Sequence, residues 1–193
     1  INETHPLQAQ SPYSASKIGA DKIAESFFRS FEMPVVIARP FNAYGPRQSA
    51  RAIIPTIITQ LLSGNEDIRL GSLHPTRDFN YVRDICNGLI LLSKFDEAIG
   101  KEVNIGSNTE ISIGTLADML IKLLNAKVKI VTEDLRKRPD KSEVERLVCD
   151  NSLIKEITSW EPETLLKDGL LETIEWFNSE ENMKRYKGDI YNI

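Results

Sequence analysis

The sequence is poor in the residues that build disulfide scaffolds and metal centres. Its 193 residues include only two cysteines, Cys86 and Cys149, and two histidines, His5 and His74. The cysteines lie far apart without a Cys-x-x-Cys motif, so we expect free thiols, with Cys86 in the core as part of an apolar helix. The histidines are isolated from each other in sequence. We therefore predict no metal site.

Long apolar runs and an excess of one charge are also missing. No stretch approaches the roughly 18 apolar residues of a membrane span, and no secretory signal is visible. With 24 basic and 28 acidic residues, the net charge is -4, which gives no electrostatic footprint for nucleic acid. The apolar fraction of 41% is nevertheless enough for a folded core. We expect a cytoplasmic protein that binds neither membranes nor nucleic acid.

The most informative feature is a tyrosine and a lysine four residues apart, Tyr13 and Lys17. Ser11 is a good helix N-cap and Pro12 suits the first helical position, so both side chains are predicted on one helix face. A free phenol, with a pKa near about 10, is a poor base at neutral pH, but a neighbouring cation favours the phenolate. The pair therefore suits proton transfer, although an ordinary surface pair has the same spacing.

The residues that follow indicate an α/β fold. Apolar residues at helical spacing continue the first helix, which must end before Pro34. Residues 34–40 are apolar on both faces, the pattern of a buried parallel strand. Residues 41–47 then form a loop at the carboxyl end of that strand, where open α/β sheets bind ligands.

Short helices and strands are predicted in the remainder. Residues 77–82 are predicted as a strand, with Phe79 and Tyr81 facing one side and Asp78 and Asn80 the other. The polar residues after position 178 are predicted to fray.

Five stretches together resemble the extended short-chain dehydrogenase/reductase family, in particular its nucleotide-sugar epimerases and 4,6-dehydratases. Within this family, 39–51 and 75–82 are most similar to the N-acetylglucosamine-nucleotide 4,6-dehydratases of legionaminic-type acid pathways. The five stretches follow one another in the family's order and span most of the chain: 11–17, 39–46, 53–55, 77–84 and 138–150.

The resemblance implies the carboxyl-terminal portion of a Rossmann-type NAD(P)-binding fold, joined to a small α+β substrate-binding domain. Residues 1–47 would belong to the former and 48–178 mainly to the latter, with 77–105 a candidate for return to the Rossmann sheet and 179–193 a tail. The chain begins with Ile1 and contains no Gly-x-x-Gly-x-x-Gly. We expect it to be the carboxyl-terminal part of a longer enzyme and to be inactive by itself.

The resemblance also assigns roles to residues. Tyr13 and Lys17 would be catalytic and would contact the NAD cofactor, while Asn42, Arg77 and Arg138 would hold the substrate diphosphate. For any single arginine, a solvated surface cation is the alternative interpretation. The complete set of expected site residues is Tyr13, Lys17, Pro40 and Phe41 for the cofactor, and Asn42, Arg51, Arg77 and Arg138 for the nucleotide-diphosphate sugar.

The function implied first is an NAD-dependent nucleotide-sugar 4,6-dehydratase that acts through a 4-keto sugar. A 4-epimerase on the same scaffold is the alternative, because both use the Tyr-Lys pair identically. A non-catalytic sugar-nucleotide-binding or assembly module is the alternative of another class. The family also implies a homodimer through the Tyr-Lys helix, whose apolar residues exceed what one sheet face needs: Ala20, Ala24, Phe27, Phe28 and Phe31.

Overall fold

Helices and short strands alternate along the chain. The structure is a computed structural model that describes residues 1–137 and 143–186. Its helices are α1 Pro12–Phe31, α2 Ile53–Leu62, α3 Val82–Leu92, α4 Ile113–Leu123, α5 Ser152–Thr158, α6 Leu166–Phe177 and α7 Glu180–Met183. Its strands are β1 Ile37–Pro40, β2 Ala43–Tyr44, β3 Asp67–Leu70, β4 Thr76–Arg77, β5 Asn80–Tyr81, β6 Glu102–Ile105, β7 Ile111–Ser112, β8 Lys129–Thr132 and β9 Arg146–Leu147.

Helix α1 begins as its sequence predicts. The Ser11 hydroxyl accepts a hydrogen bond from the Ser14 backbone N–H at 3.1 Å, and the Ser14 hydroxyl accepts one from the Ser11 N–H at 2.9 Å. These reciprocal bonds satisfy N–H groups that the first helical turn leaves without partners. Glu32 then ends the helix in the left-handed conformation, two residues before Pro34. Tyr13 and Lys17 therefore lie in the first two turns.

Polar contacts and one aromatic ring attach α1 to the strands beneath it. Asp21 accepts two hydrogen bonds from the Arg39 guanidinium, at 2.9 and 2.7 Å, and Arg39 also pairs with Glu102 at 2.8 Å. Arg39 and Glu102 lie on β1 and β6, so the network fixes the helix over both strands. At the turn before β6, Gly100 has a φ of 76° and lies against the Phe28 ring, where a Cβ atom would collide.

Two parallel strand pairs position the end of β1. Strand β1 pairs with β6, and β2 pairs with β5, in both cases in parallel. The Asn80 N–H donates to the Asn42 carbonyl at 3.1 Å, and the Phe41 N–H donates to the Ile105 carbonyl at 2.9 Å. The loop after β1 is thus aligned with the segment around β5.

The remaining strands form a parallel β3–β8 pair and a β7–β4–β9 sheet, in which β4 is antiparallel to β7 and parallel to β9. One apolar core lies around α2, α4, α6 and β3, and a second lies around α3, α5 and β6. The first core contains Ile54, Ile57, Ile58, Ile68, Leu70, Leu116, Leu120, Leu170 and Phe177, and the second contains Ile85, Val103, Ile105, Ile154 and Trp160.

Among the described residues, no helix is both long and apolar enough to cross a membrane.

Two predictions about this part of the chain are wrong. Residues 77–82 do not form one strand, because β4 ends at Arg77, β5 is Asn80–Tyr81 and α3 begins at Val82. No single pleat alternates the side chains, and Asp78, Asn80 and Tyr81 are all buried. Cys86 is exposed, because the buried residues of α3 lie on its other face.

The prediction that the tail frays is wrong for its first part. Residues Glu180–Met183 form α7, and Tyr186 packs its ring against Trp176 and Phe177, with centroids 6.0 and 4.8 Å away. Two neighbouring aromatic rings give this polar segment an apolar anchor that charge composition does not reveal. Residues 187–193 lie outside the described part of the chain.

Candidate functional site

Tyr13 and Lys17 form a pair on the exposed face of α1. The Lys17 ammonium nitrogen lies 5.7 Å from the centroid of the Tyr13 ring, and the Tyr13 side chain is 71% exposed. The i,i+4 spacing on a regular helix produces this proximity. The Tyr13 phenol and the Lys17 ammonium group therefore face the same region beside α1.

Tyr13 faces a cavity of about 490 Å³ at the carboxyl end of β1, here called the strand-end cavity. Its lining brings Tyr13 together with Pro40, Phe41 and Asn42, three residues that the sequence assigns to cofactor and substrate. Phe41 is buried, and its backbone is fixed by the hydrogen bond to Ile105. The end of β1 thus forms one rigid side of the strand-end cavity, and Tyr13 borders another side.

A second cavity, of about 380 Å³, is here called the arginine cavity. Asn42 lines it as well as the strand-end cavity, so the two meet at this side chain. The Asn42 amide donates to the Asp78 carbonyl at 3.2 Å, which fixes its orientation. Within the described residues, the charged side chains of the lining are Arg51, Arg69, Arg77, Arg136 and Glu143.

The balance of these charges favours an anion. Among the lining residues that the structure describes, four guanidinium groups face a single carboxylate, and guanidinium binds phosphate through charge-assisted, often bidentate hydrogen bonds. The sequence interpretation includes Arg51 and Arg77 but misses Arg69 and Arg136. Strand β3 and the turn after β8 bring these two arginines to the cavity, and both pair with Glu133, at 3.0 and 2.8 Å.

Arg77 is held in place by the protein itself. Its guanidinium donates to the Thr76 and Val144 carbonyls at 2.8 and 2.6 Å and to the Glu143 carboxylate at 3.0 Å. The Arg77 side chain is only 13% exposed, so these bonds fix the plane of the group. The remaining predicted residue, Arg138, lies outside the described residues.

A buried carboxylate supports the strand that carries Arg77. Asp78 accepts hydrogen bonds from the Ser107 and Asn108 backbone N–H groups at 3.2 and 3.1 Å, and from the Ser107 hydroxyl at 2.7 Å. The Cys149 N–H and the Asn80 amide donate to it at 3.1 and 3.0 Å. Burial and the nearby Asp78 charge raise the pKa of the Cys149 thiol. The sequence interpretation gave Asp78 no such role.

The loop between β2 and α2 forms another wall of the arginine cavity. Gln48 lies in this lining, and its amide nitrogen donates to the Ala43 carbonyl at 2.7 Å. The Gln48 side-chain oxygen is buried, and no group in the described part of the chain donates to it. Arg47, just before it, has a φ of 67°, in the left-handed region that costs energy for a residue with a side chain.

The chain resembles known proteins over most of its length. A family model described as GDP-mannose 4,6 dehydratase matches residues 1–173. A dTDP-glucose 4,6-dehydratase of an Actinoplanes species is 34% identical over 180 residues, covering 92% of this chain and 54% of the relative. The chain spans about half the length of the curated relatives it matches.

Solved structures agree with this assignment. The dTDP-glucose 4,6-dehydratase DesIV of Streptomyces venezuelae, solved with NAD and TYD bound, superimposes with a TM-score of 0.84 at 30% identity, covering 97% of this chain and 56% of that chain. The epimerase Mth375 of Methanothermobacter thermautotrophicus also gives a TM-score of 0.84, at 26% identity, over 96% of this chain and 57% of that one. The chain therefore belongs to the extended short-chain dehydrogenase/reductase family of nucleotide-sugar dehydratases and epimerases, as its motifs predict.

Proposed function

We propose that the protein is an NAD-dependent nucleotide-sugar 4,6-dehydratase. The observation that carries the proposal is the meeting of two cavities at Asn42, with Tyr13 on one and four arginines on the other. A sugar that lies beside Asn42 would reach the Tyr13 phenol, while its diphosphate would extend toward the arginines. The Actinoplanes relative, a dTDP-glucose 4,6-dehydratase, supports the choice of reaction.

The residues of the strand-end cavity fit the nicotinamide end of NAD. Pro40 and the buried Phe41 offer apolar surface for a flat ring, and Lys17 lies within reach of the Tyr13 phenol that borders the same space. Bound NAD would supply the hydride chemistry that a redox-neutral conversion of the sugar needs, and Tyr13, Lys17, Pro40 and Phe41 are the residues that would hold its nicotinamide end. The DesIV structure with bound NAD supports this cofactor.

Tyr13 and Lys17 handle the proton. The Tyr13 phenolate takes the proton of the sugar 4-hydroxyl as C4 is oxidised to a ketone, and the Lys17 ammonium stabilises the phenolate charge. The ketone acidifies the C5 proton, so C5–H and the 6-hydroxyl leave together as water. A proton added at C5 and hydride added at C6 complete a 4-keto-6-deoxy sugar, with no net oxidation or reduction.

The arginine cavity would hold the diphosphate. Asn42, Arg51 and Arg77 border it, and Arg138 completes the proposed set from outside the described residues. Arg77 is already fixed by backbone carbonyls, so little side-chain freedom remains to be lost on binding. We further propose a nucleotide-activated N-acetylglucosamine as the sugar, on the basis of the 39–51 and 75–82 stretches.

A 4-epimerase is the second candidate. The epimerase Mth375 matches the chain as well in TM-score as DesIV does. An epimerase would use Tyr13 and Lys17 in the same way but would return hydride to the opposite face of C4. The two reactions differ in what happens at C5 and C6.

We also propose a homodimer through α1. Ile23, Phe27 and Phe31 are exposed on this helix, and the Phe27 and Phe31 rings lie 5.6 Å apart as one apolar surface. An apolar surface of this kind usually has a partner. Sedimentation as a monomer at micromolar concentration would count against the dimer.

Two substitutions test the proposed function in the protein expressed from its complete reading frame. Tyr13→Phe is expected to preserve affinity for the nucleotide sugar and to abolish turnover, because only the proton acceptor is lost. Arg77→Ala is expected to weaken binding of UDP, dTDP or GDP by about 1.5–3 kcal/mol, the range for a hydrogen bond to a charged group. Arg83→Ala is the matched control, since Arg83 pairs with Glu172 on the surface and lies away from both cavities.

Turnover by Tyr13→Phe at the wild-type rate would end the catalytic assignment. Equal affinities for the Arg77→Ala and Arg83→Ala variants would remove Arg77 from the diphosphate site.

A further inference from the structure

The carboxyl-terminal segment contacts the wall of the arginine cavity at one point. The Tyr186 hydroxyl donates a hydrogen bond to the Gln48 backbone carbonyl at 2.9 Å, across 138 residues of sequence. The Tyr186 ring packs against Phe177 at the end of α6 and against Trp176. Desolvation raises the pKa of Tyr186, so the phenol keeps its proton and remains a donor. The contact therefore links a core helix to the loop.

The loop has few local means of holding its shape. Arg47 is in the left-handed region, and the buried Gln48 side-chain oxygen has no donor within the described residues. Both features cost free energy and favour rearrangement. At Gln48 itself, the local hydrogen bonds among the described residues are a long one from its N–H to the Gly45 carbonyl, at 3.3 Å, and the one from its side chain to the Ala43 carbonyl.

The same loop leads directly to the start of α2. The Arg51 N–H donates to the Ser49 hydroxyl at 3.3 Å, and the Ala52 N–H donates to the Ser49 carbonyl at 3.0 Å. A shift of Gln48 would therefore also displace Arg51. Because both residues border the arginine cavity, the width of that cavity would change. The position of this wall depends on what restrains Gln48.

We propose that Tyr186 is a positioning residue that holds the 45–51 loop in the conformation that binds the nucleoside diphosphate. The proposal rests on the proposed function of the arginine cavity. Tyr186 itself does not border that cavity, so its effect on binding passes through Gln48. The carboxyl-terminal segment thereby becomes a determinant of affinity for the nucleotide.

Tyr186→Phe separates this role from simple packing, since it keeps the ring contacts and removes only the hydroxyl. Tyr44→Phe is the matched control, because the Tyr44 hydroxyl also donates to a backbone carbonyl, but to that of Leu166, at 3.2 Å, which lies outside the 45–51 loop. Both variants lose one neutral hydrogen bond and should lose comparable stability.

Amide hydrogen exchange and calorimetric titration with UDP, dTDP and GDP provide the two readouts. Tyr186→Phe should speed exchange of the Gln48, Arg51 and Ala52 amides and weaken the best-binding nucleotide about two- to tenfold, while Tyr44→Phe should change neither. Unchanged exchange in that loop, or equal affinity losses in the two variants, would overturn the proposal. If the wild type binds none of the three nucleotides, the proposed function fails, and the exchange data alone then decide whether Tyr186 anchors the loop.

Discussion

Replacing Asp78 with asparagine should destabilise the fold more than any exposed charge change. The carboxylate is buried and accepts five hydrogen bonds, three at one oxygen and two at the other. Asparagine keeps one acceptor oxygen and places an N–H₂ group where the other stood. In either orientation at least two donors lose their acceptor, and each unmet buried donor costs about 1–3 kcal/mol. The expected loss is therefore about 2–6 kcal/mol.

Urea unfolding followed by tryptophan fluorescence measures this loss, because Trp160 is buried in the core around α3, α5 and β6. With a typical dependence of about 2 kcal/mol per molar urea, the midpoint should fall by about 1 M or more. Asp150→Asn is the control: Asp150 accepts from the Ser152 N–H and hydroxyl, at 3.0 and 2.6 Å, but at the surface. It should cost less than about 1 kcal/mol.

An Asp78→Asn variant within about 1 kcal/mol of the wild type would refute the reasoning. It would mean that the five donors find other partners, and that Asp78 does not hold β4, the loop after β6 and Cys149 together.

The other predictions concern thiols, tyrosines and the surface of α1. A maleimide should modify the exposed Cys86 in the native protein but reach the buried Cys149 only after unfolding, and mass spectrometry counts the labels; two rapid labels would contradict the burial. Burial raises the pKa of Tyr44 beyond the normal range and that of Tyr81 to about 12. Above pH 10 the unfolded chain therefore releases tyrosine protons that the folded chain retains. The free energy of unfolding should then fall by about 1.4 kcal/mol per pH unit for each of the two tyrosines. A phenolate absorbance at pH 10–11 that matched a full set of normal tyrosines would contradict this prediction. Phe27→Glu should convert the proposed dimer to monomer in sedimentation, and an unchanged dimer would locate the interface elsewhere.

Local signals in the sequence predicted the parts of the fold that local interactions determine. Ser11 and Pro12 begin α1 as predicted, because a cap needs only residues within one turn. The Tyr13–Lys17 pair follows from helical spacing for the same reason. The family assignment depended on several motifs that occur in the family's order, and the family model that matches residues 1–173 confirmed it.

Long-range contacts explain what the sequence did not reveal. The donors to Asp78 come from 29 to 71 residues away, apart from Asn80, so no periodicity marks it as buried. In the sequence, Arg69 cannot be distinguished from an ordinary exposed charge. Only the pairing of β3 with β8 brings it beside the arginine cavity. The roles of the predicted site residues, the domain boundaries and the cytoplasmic location remain predictions.

Product analysis by proton NMR in D₂O tests the central claim most directly. The protein, expressed from its complete reading frame, is incubated with NAD and nucleotide-activated N-acetylglucosamine. A 4,6-dehydratase predicts a new C6 methyl signal, a ketone at C4, deuterium at C5 and no net formation of NADH. A sugar that retains its C6 hydroxymethyl group and C5 proton, whether inverted at C4 or unchanged, would contradict the account.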